Sequence, residues 1–395
     1  MLNYRGGIKM KVELQSKAAS QVNEQRLLKL FLDLAKINGP STKEQLVADY
    51  LANELPKLGF TIEFDEAHNN FNGEVGNLVA WKEGTDSTIP PLFFSTHMDT
   101  VLPTKNLKPI IKDGVIYSDG TTILGADDRA ALASYIEAIR AVIESEVPHG
   151  PIELLLTVNE QPGLVGARFM DYSKVKSKVG YIFDSSGDVG QTILKGPFSS
   201  RIYLKVKGNA AHIALNAEEG NSAFVIAAVG LLKMKLGKVD EETLANIGLI
   251  EGGELTSIIP GTVTLAGEVR SFSKEKLNAQ LRHMEEMMKE AAKEMGGVVE
   301  ITLEKKYSGF DIPNEHILVQ NVTDASRQIN IQPYLTKTLG GADTNVLNEN
   351  GLTCITLGNG FQNIHSYREC ISIENLINTG RLTASLIEQW YENNK

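Results

Sequence analysis

The sequence predicts an α/β protein built on an open, mostly parallel sheet, with a smaller α+β domain inserted into it. Three observations lead there. Apolar strand-like runs alternate with helical segments from about 78 to 184 and again after 310. Each run ends in polar residues, as parallel strands do where they open onto a crevice. Between about 198 and 309 the pattern becomes strand–helix–strand–strand–helix–strand. Its strands alternate in polarity, which suits a half-buried sheet with helices on one face.

In chain order, residues 1–20 are polar and read as a loose arm. NEQRLLKLFLDLAKING is an amphipathic helix with Leu27, Leu28, Leu30, Phe31, Leu34 and Ala35 on one broad face. The string S-T-K-E predicts a capping box, Ser41 as cap and Glu44 three residues on. It opens the helix VADYLANELPKL, which Gly59 stops. FTIEFDEA alternates as a strand, and NLVAWKEG follows after a turn. PPLFFSTH is a continuous apolar run, hence a strand covered on both faces. The long loop 103–121 holds a small hairpin, DGVIYSDG, before the helix RAALASYIEAIRAVIE. PIELLLTVNE and VGYIFDSS are the next strands.

In the insert, SSRIYLKVKG, TVTLAGEVRSF and VVEITLEKKYSGF read as strands. Two helices lie between them, and Met284, Met287, Met288 and Met295 of the second read as core filler. From 310 the first pattern resumes with ILVQNVTDASRQI, QPYLTKT, LTCITLGNG and the last helix, ENLINTGRLTASLIEQWYEN. The expected organisation is one α/β domain in two parts, 1–197 and 310–395, around an inserted domain at 198–309.

Composition narrows the function. A chain of 395 residues exceeds one ordinary domain. Its 42% hydrophobic and 22% charged content is that of a globular protein. A net charge of −10 argues against a nucleic-acid partner, which needs a basic face. The two cysteines, Cys354 and Cys370, make no disulfide framework and point to a reducing compartment. No apolar run has signal or membrane-spanning length, so no membrane partner and a cytoplasmic location are expected.

The chemistry gathers at the strand ends. His97 closes one strand, and Asp127 and Asp128 stand at the mouth of the following helix. Glu160, Asp184 and His365 sit at or just after later strands. A parallel sheet brings such ends together. Imidazoles and carboxylates without cysteine suit zinc, cobalt or manganese. Asp99, two residues beyond His97, can reach the other imidazole nitrogen and fix its tautomer. Taken singly, each of these is a solvated loop residue; together they point to a metal site. In the insert, Arg270 suits a substrate carboxylate and His212 a developing oxyanion, against the plainer readings of a surface salt bridge and a turn residue. His68, His149 and His316 read as surface groups, and His283 on its charged helix has no assigned role.

The strings STHMDTV, LGADDRAALA, TVNEQPGLVGA, IFDSSG, GNAAHIALNAEEGNSA, GEVRS, GGADTNVLNENG and NIHSYRE cover nearly the whole chain. In order and spacing they resemble the di-zinc metallopeptidase family that includes carboxypeptidase G and aminoacylase. GGADTN and NIHS are closest to its peptidase T branch. The resemblance implies a zinc-exopeptidase-like α/β/α sandwich carrying a ferredoxin-like lid, a four-stranded sheet with two helices, through which related proteins often dimerise. It implies that His97, Asp127 and Asp184 hold one ion, that Asp127 bridges to a second ion on His365, and that Asp127–Asp128 is a cis peptide. Asp99 would support His97, and Glu160 would be the general base. His212, Arg270, Asn345 and the glycines Gly340 and Gly341 would bind the peptide.

Three positions depart from the pattern. Gln161 stands where the family writes a second acid, the ligand to the second ion; a neutral amide binds that ion less tightly. Ser257 replaces an asparagine and Pro162 an aliphatic residue. The resemblance implies a metal-dependent exopeptidase that hydrolyses short peptides and releases the N-terminal residue of tripeptides, with Glu160 as general base. The alternatives are an amidohydrolase of N-acyl amino acids, and a non-catalytic binding protein with an impaired second metal site.

Overall fold

A computed structural model describes residues 14–395. It divides into two compact units: unit 1 runs to Thr192 and adds Pro313–Leu335 and Gly351–Lys395, while unit 2 comprises Ile193–Ile312 and Thr336–Asn350. The insert therefore has wider limits than 198–309, and it takes in a stretch around 340 that the sequence pattern assigned to the α/β part.

In unit 1 the strands lie in the order Thr61–Phe64, Leu78–Lys82, Ile152–Thr157, Leu92–His97, Val179–Phe183, Thr353–Leu357. The first two pairings are antiparallel and the remaining three parallel. Leu92–His97 and Ile152–Thr157 are buried at every position, as a central strand covered on both faces must be. The register sets Ser95 beside Ile182 and His97 beside Thr157, so the residues that follow these strands emerge side by side.

The helix Ala126–Ser145 packs over this sheet. Its Tyr135 hydroxyl donates to the Ser95 carbonyl (2.8 Å) and accepts from the Phe183 amide (3.1 Å), pinning the helix to two strands. Phe94 and Phe183 pack against that ring, and Tyr181 packs in turn on Phe94. The final helix, Ile373–Asn394, packs on the same element, and Trp390 donates to the Pro90 carbonyl.

Two expectations are corrected. Of the loose arm expected at 1–20, residues 1–13 lie outside the described residues, and Lys17–Ser20 is helical with Ala18 and Ala19 fully buried. Ser16 caps it and donates to Glu388, a long-range partner that local polarity does not reveal. The capping box at 41–44 does not form. The helix Gln45–Glu54 has Glu44 as cap, with no side-chain cap bond. Ser41 and Glu44 turn inward instead, towards other segments of unit 1.

Unit 2 is an antiparallel sheet in the order Gly237–Lys238, Thr243–Gly252, Thr262–Ser271, Phe198–Lys207, Val298–Tyr307. Four strands are ten residues long and the fifth only two. Alternate residues Ile202, Leu204, Val206, Val263, Leu265 and Val269 form one face of the core. The helices Ala223–Lys233 and Lys274–Glu294 cover it, with Met284 and Met288 fully buried and Met287 and Met295 at its margin. Among the described residues, no helix is long and apolar enough to cross a membrane.

Candidate metal centre

The C-terminal ends of the parallel strands in unit 1 deliver the polar residues. His97 is the last residue of Leu92–His97 and is 2% exposed, close to full burial. Its Nδ1 lies 2.9 Å from the Asp99 backbone carbonyl and 3.4 Å from the Asp99 carboxylate. The carbonyl can only accept, so Nδ1 donates to it, and Nε2 is left to face Asp127, as a donor to its carboxylate or, deprotonated, as a ligand to a cation. That Nε2 is 3.0 Å from Asp127 Oδ1.

Asp127 sits between two imidazoles. Its second oxygen lies 3.2 Å from His365 Nε2 and accepts from Gln161 Nε2 at 3.0 Å. The Asp127–Asp128 peptide is cis. Hydrogen bonds from His365 and His97 hold the Asp127 carboxyl far below its usual range, against the effect of burial. Asp128 behaves oppositely. Burial, then the neighbouring Asp184 charge, push its carboxyl well up, although Thr96 donates to one oxygen and Asn359 to the other (2.9 Å). His97, Asp128 and Asp184 each present a ligand atom within 4.8 Å of the others.

This donor set fits a divalent cation: imidazole and carboxylate oxygens, buried together, with like charges that a cation offsets. The compact trio uses Asp128 where the sequence resemblance implied Asp127. His97, His365 and Gln161 converge on Asp127, while Thr96 and Asn359 each donate to one Asp128 oxygen.

The residues on either side are shaped for this arrangement. His365 and Asn159 adopt positive φ (59° and 52°), conformations that non-glycine residues rarely hold without reason. Glu369 is 1% exposed and accepts from the Gly125 amide (2.7 Å) and the Asp127 amide (3.0 Å). It ties the segment carrying His365 to the segment carrying Asp127, and burial pushes its carboxyl up to about 7.

A model of the family "Peptidase family M20/M25/M40" matches residues 93–389, three-quarters of the chain and every residue of this centre. The chain belongs to that family. Among solved structures, an M20-type fold match to a tripeptidase from Staphylococcus aureus is 37% identical, with TM-score 0.90, covering 94% of this chain and all of that one. An aminopeptidase PepT from Bacillus cereus is also 37% identical, with TM-score 0.86 and the same coverage. Among curated proteins, YqjE of Bacillus subtilis, named as uncharacterized, is 37% identical over 368 residues, 93% of this chain and 99% of that protein. The chain is thus a peptidase-T-like member of the family, an α/β domain with an inserted smaller sheet-and-helix domain.

Unit 2 holds the other residues that the sequence singled out. His212 Nδ1 accepts from the Ala214 amide (3.2 Å), which leaves the proton on Nε2. Arg270 donates through Nε to Glu268 (2.6 Å) and through Nη1 to the Leu339 carbonyl (3.1 Å). Asn345 is buried and spends its amide on the carbonyls of Pro197 and Ser308 (both 2.9 Å) and the Ala342 amide (3.3 Å). A Cβ at Gly341 would overlap the Tyr307 hydroxyl, so only glycine fits there.

Sequence reading missed Ser41, Glu44, Asn359 and Glu369. Glu369 stood inside the NIHSYRE string, and its position there was the available signal. His149 is a further correction: it is 4% exposed, with Nδ1 on the Gly150 carbonyl (2.8 Å), not a surface group.

Proposed function

We propose that this chain is a metal-dependent exopeptidase that removes the N-terminal residue of short peptides, tripeptides in the first place. The observation that carries the reading is the gathering of His97, Asp128 and Asp184 within 4.8 Å, with Asp127 between His97 and His365, in a chain whose 37%-identical structural neighbours are named a tripeptidase and an aminopeptidase. His97, Asp127 and Asp184 would hold one ion, zinc first and cobalt or manganese as substitutes; Asp127 and His365, with Gln161, would hold a second. A bound divalent ion supplies positive charge that polarises a peptide carbonyl and makes a water easier to deprotonate.

Glu160 takes the proton of the attacking water on its carboxylate and returns it to the leaving amine. Asp99 keeps the His97 proton on Nδ1. Within unit 2, His212 carries an Nε2–H and Arg270 keeps guanidinium donors, the kinds of group that a developing oxyanion and a peptide carboxylate require. Asn345 braces the backbone at 341–342 rather than offering its own amide. The strand–helix–strand–strand–helix–strand order of unit 2, with its four long antiparallel strands, supports a ferredoxin-like domain. A homodimer through this unit has its support in the strand Thr243–Gly252. Beyond Ala245 that strand pairs on one side only, and it exposes Leu249 and Ile250. Both cysteines are buried free thiols, which fits a cytoplasmic setting.

The test is a panel of tripeptides, dipeptides and N-acyl amino acids, run after chelation and again with zinc, cobalt or manganese. Tripeptide turnover that chelation abolishes and metal restores is the expected result. Turnover of N-acyl amino acids alone would favour the amidohydrolase reading; no turnover with a loaded site would favour a binding protein.

A further inference from the structure

We propose that Ser41 and Glu44, in the loop between the helices Glu24–Ala35 and Gln45–Glu54, are positioning residues for the turn that carries Glu160. What that turn does rests on the peptidase reading above; how it is held rests on geometry alone.

Three successive backbone amides in this turn are held by two buried carboxylates. The Asn159 amide donates to Glu44 Oε1 (2.9 Å). The Glu160 amide donates to Asp99 Oδ1 (3.0 Å), and the Gln161 amide to Asp99 Oδ2 (3.2 Å). Asn159 itself sits at φ 52°, in the left-handed region that asparagine readily adopts, and this turns the chain sharply at the end of the strand. Both carboxylates are fully buried.

The loop at 39–44 controls both of them. Ser41 Oγ donates to Asp99 Oδ2 at 2.5 Å, the same oxygen that receives the Gln161 amide. Glu44 Oε1 also accepts from the Thr42 amide (2.9 Å), which fixes it to its own loop. The loop is laid along the other side of Asp99, where the Thr100 amide donates to the Gly39 carbonyl (3.1 Å) and Pro40 pairs with Thr100. Arg129 supplies the countercharge. It is 1% exposed, none of its guanidinium nitrogens has a hydrogen-bond partner, and Asp99, Glu44 and Asp128 are the charges that act on it. Glu44 Oε2 and Asn159 Oδ1 are likewise buried and unpartnered, so this side of the turn is a polar interior with donors and acceptors to spare.

Ser41 and Glu44 lie outside residues 93–389, the part matched by the family model. They reach the reacting groups only through Asp99 and Asn159. Their expected effect is therefore on the placement of Glu160: on turnover more than on substrate affinity.

The experiment compares Ser41→Ala, Ser41→Thr, Glu44→Ala and Glu44→Gln with the full-length parent. Amide hydrogen exchange at 159–161 is read in metal-free protein, and kcat and KM on a tripeptide in metal-loaded protein. Losing a hydrogen bond to a charged group should speed exchange at Glu160 and Gln161 about tenfold in Ser41→Ala, and lower kcat by about as much with KM within about twofold. Exchange in the helix Ala126–Ser145 should not change. Threonine keeps the hydroxyl and glutamine keeps a carbonyl acceptor, so each should recover most of the loss. Unchanged exchange at 159–161 in Ser41→Ala and Glu44→Ala, or acceleration spread evenly through unit 1, would overturn the proposal. So would unchanged kcat in an active enzyme. If the parent itself turns over no peptide, the peptidase reading fails, and the exchange measurement still decides whether these residues hold the turn.

Discussion

Gln161 is the residue on which the second ion turns. Its amide donates to the Asp127 oxygen that also faces His365. A carboxylate in its place would repel Asp127 in the empty site and attract a cation. Glu in place of Gln161 should therefore lower the melting temperature of metal-free protein, and tighten binding of a second zinc equivalent about tenfold or more in calorimetric titration. An unchanged titration would show that this position does not limit the second site. A different kind of residue effect is expected at His149. Burial lowers its pKa below the usual 6.5, so the folded state favours the neutral ring. The unfolded chain binds the extra proton first. The stability this contributes is present above about pH 6.5 and is lost as pH falls towards the folded value. Replacing His149 with Asn should flatten that part of a stability-versus-pH curve, measured by urea unfolding.

At the scale of elements, the helix Ala126–Ser145 does most to set the centre, because it carries Asp127 at one end and is held from both sides. Tyr135 fixes it to the sheet, and Glu137 fixes it to the helix Glu24–Ala35. Glu137 is fully buried and accepts from Arg26 Nε (2.6 Å), Arg26 Nη2 (2.8 Å) and the Asn23 amide (2.8 Å). Removing the cation leaves a buried carboxylate without its charge partner. Arg26→Met should cost ~3 kcal/mol in urea unfolding. The double variant with Glu137→Gln should recover much of it, since the stranded charge is then gone. If Arg26→Met is neutral, the pair is screened by water and does not secure the helix.

At the scale of the molecule, the centre draws its groups from segments between 97 and 365, and the sheet of unit 1 is what gathers them. Folding has to bury several carboxylates near one another, so bound cation and folded state should support each other. Saturating zinc should raise the melting temperature of chelated protein, with a stabilisation of about 2.7 kcal/mol at a hundredfold excess over Kd. The unit-1 transition is the one expected to move. A melting curve insensitive to chelation and to zinc would contradict a structural contribution from the metal.

The sequence by itself determined the alternation of strands and helices, the polar residues at the strand ends and the existence of an insert. These follow from local periodicity, and from side-chain chemistry that a short stretch already expresses. It also carried the spacing of His97, Glu160, Asp184 and His365, which end or follow strands that apolar runs announce, and of Asp127 at the mouth of a helix that its own alanine-rich run announces. Only the tertiary structure decided that the side chains of Ser41 and Glu44 turn to Asp99 and the Asn159 amide instead of forming a capping box, that Glu369 clasps the start of the helix at Asp127, and that His149 is buried. For Ser41 and Glu369 a residue far away in sequence supplied the partner that no local rule offered: Asp99 lies 58 positions from Ser41, and Gly125 lies 244 from Glu369. Pairings of that span depend on chain closure, which no window of neighbouring residues contains.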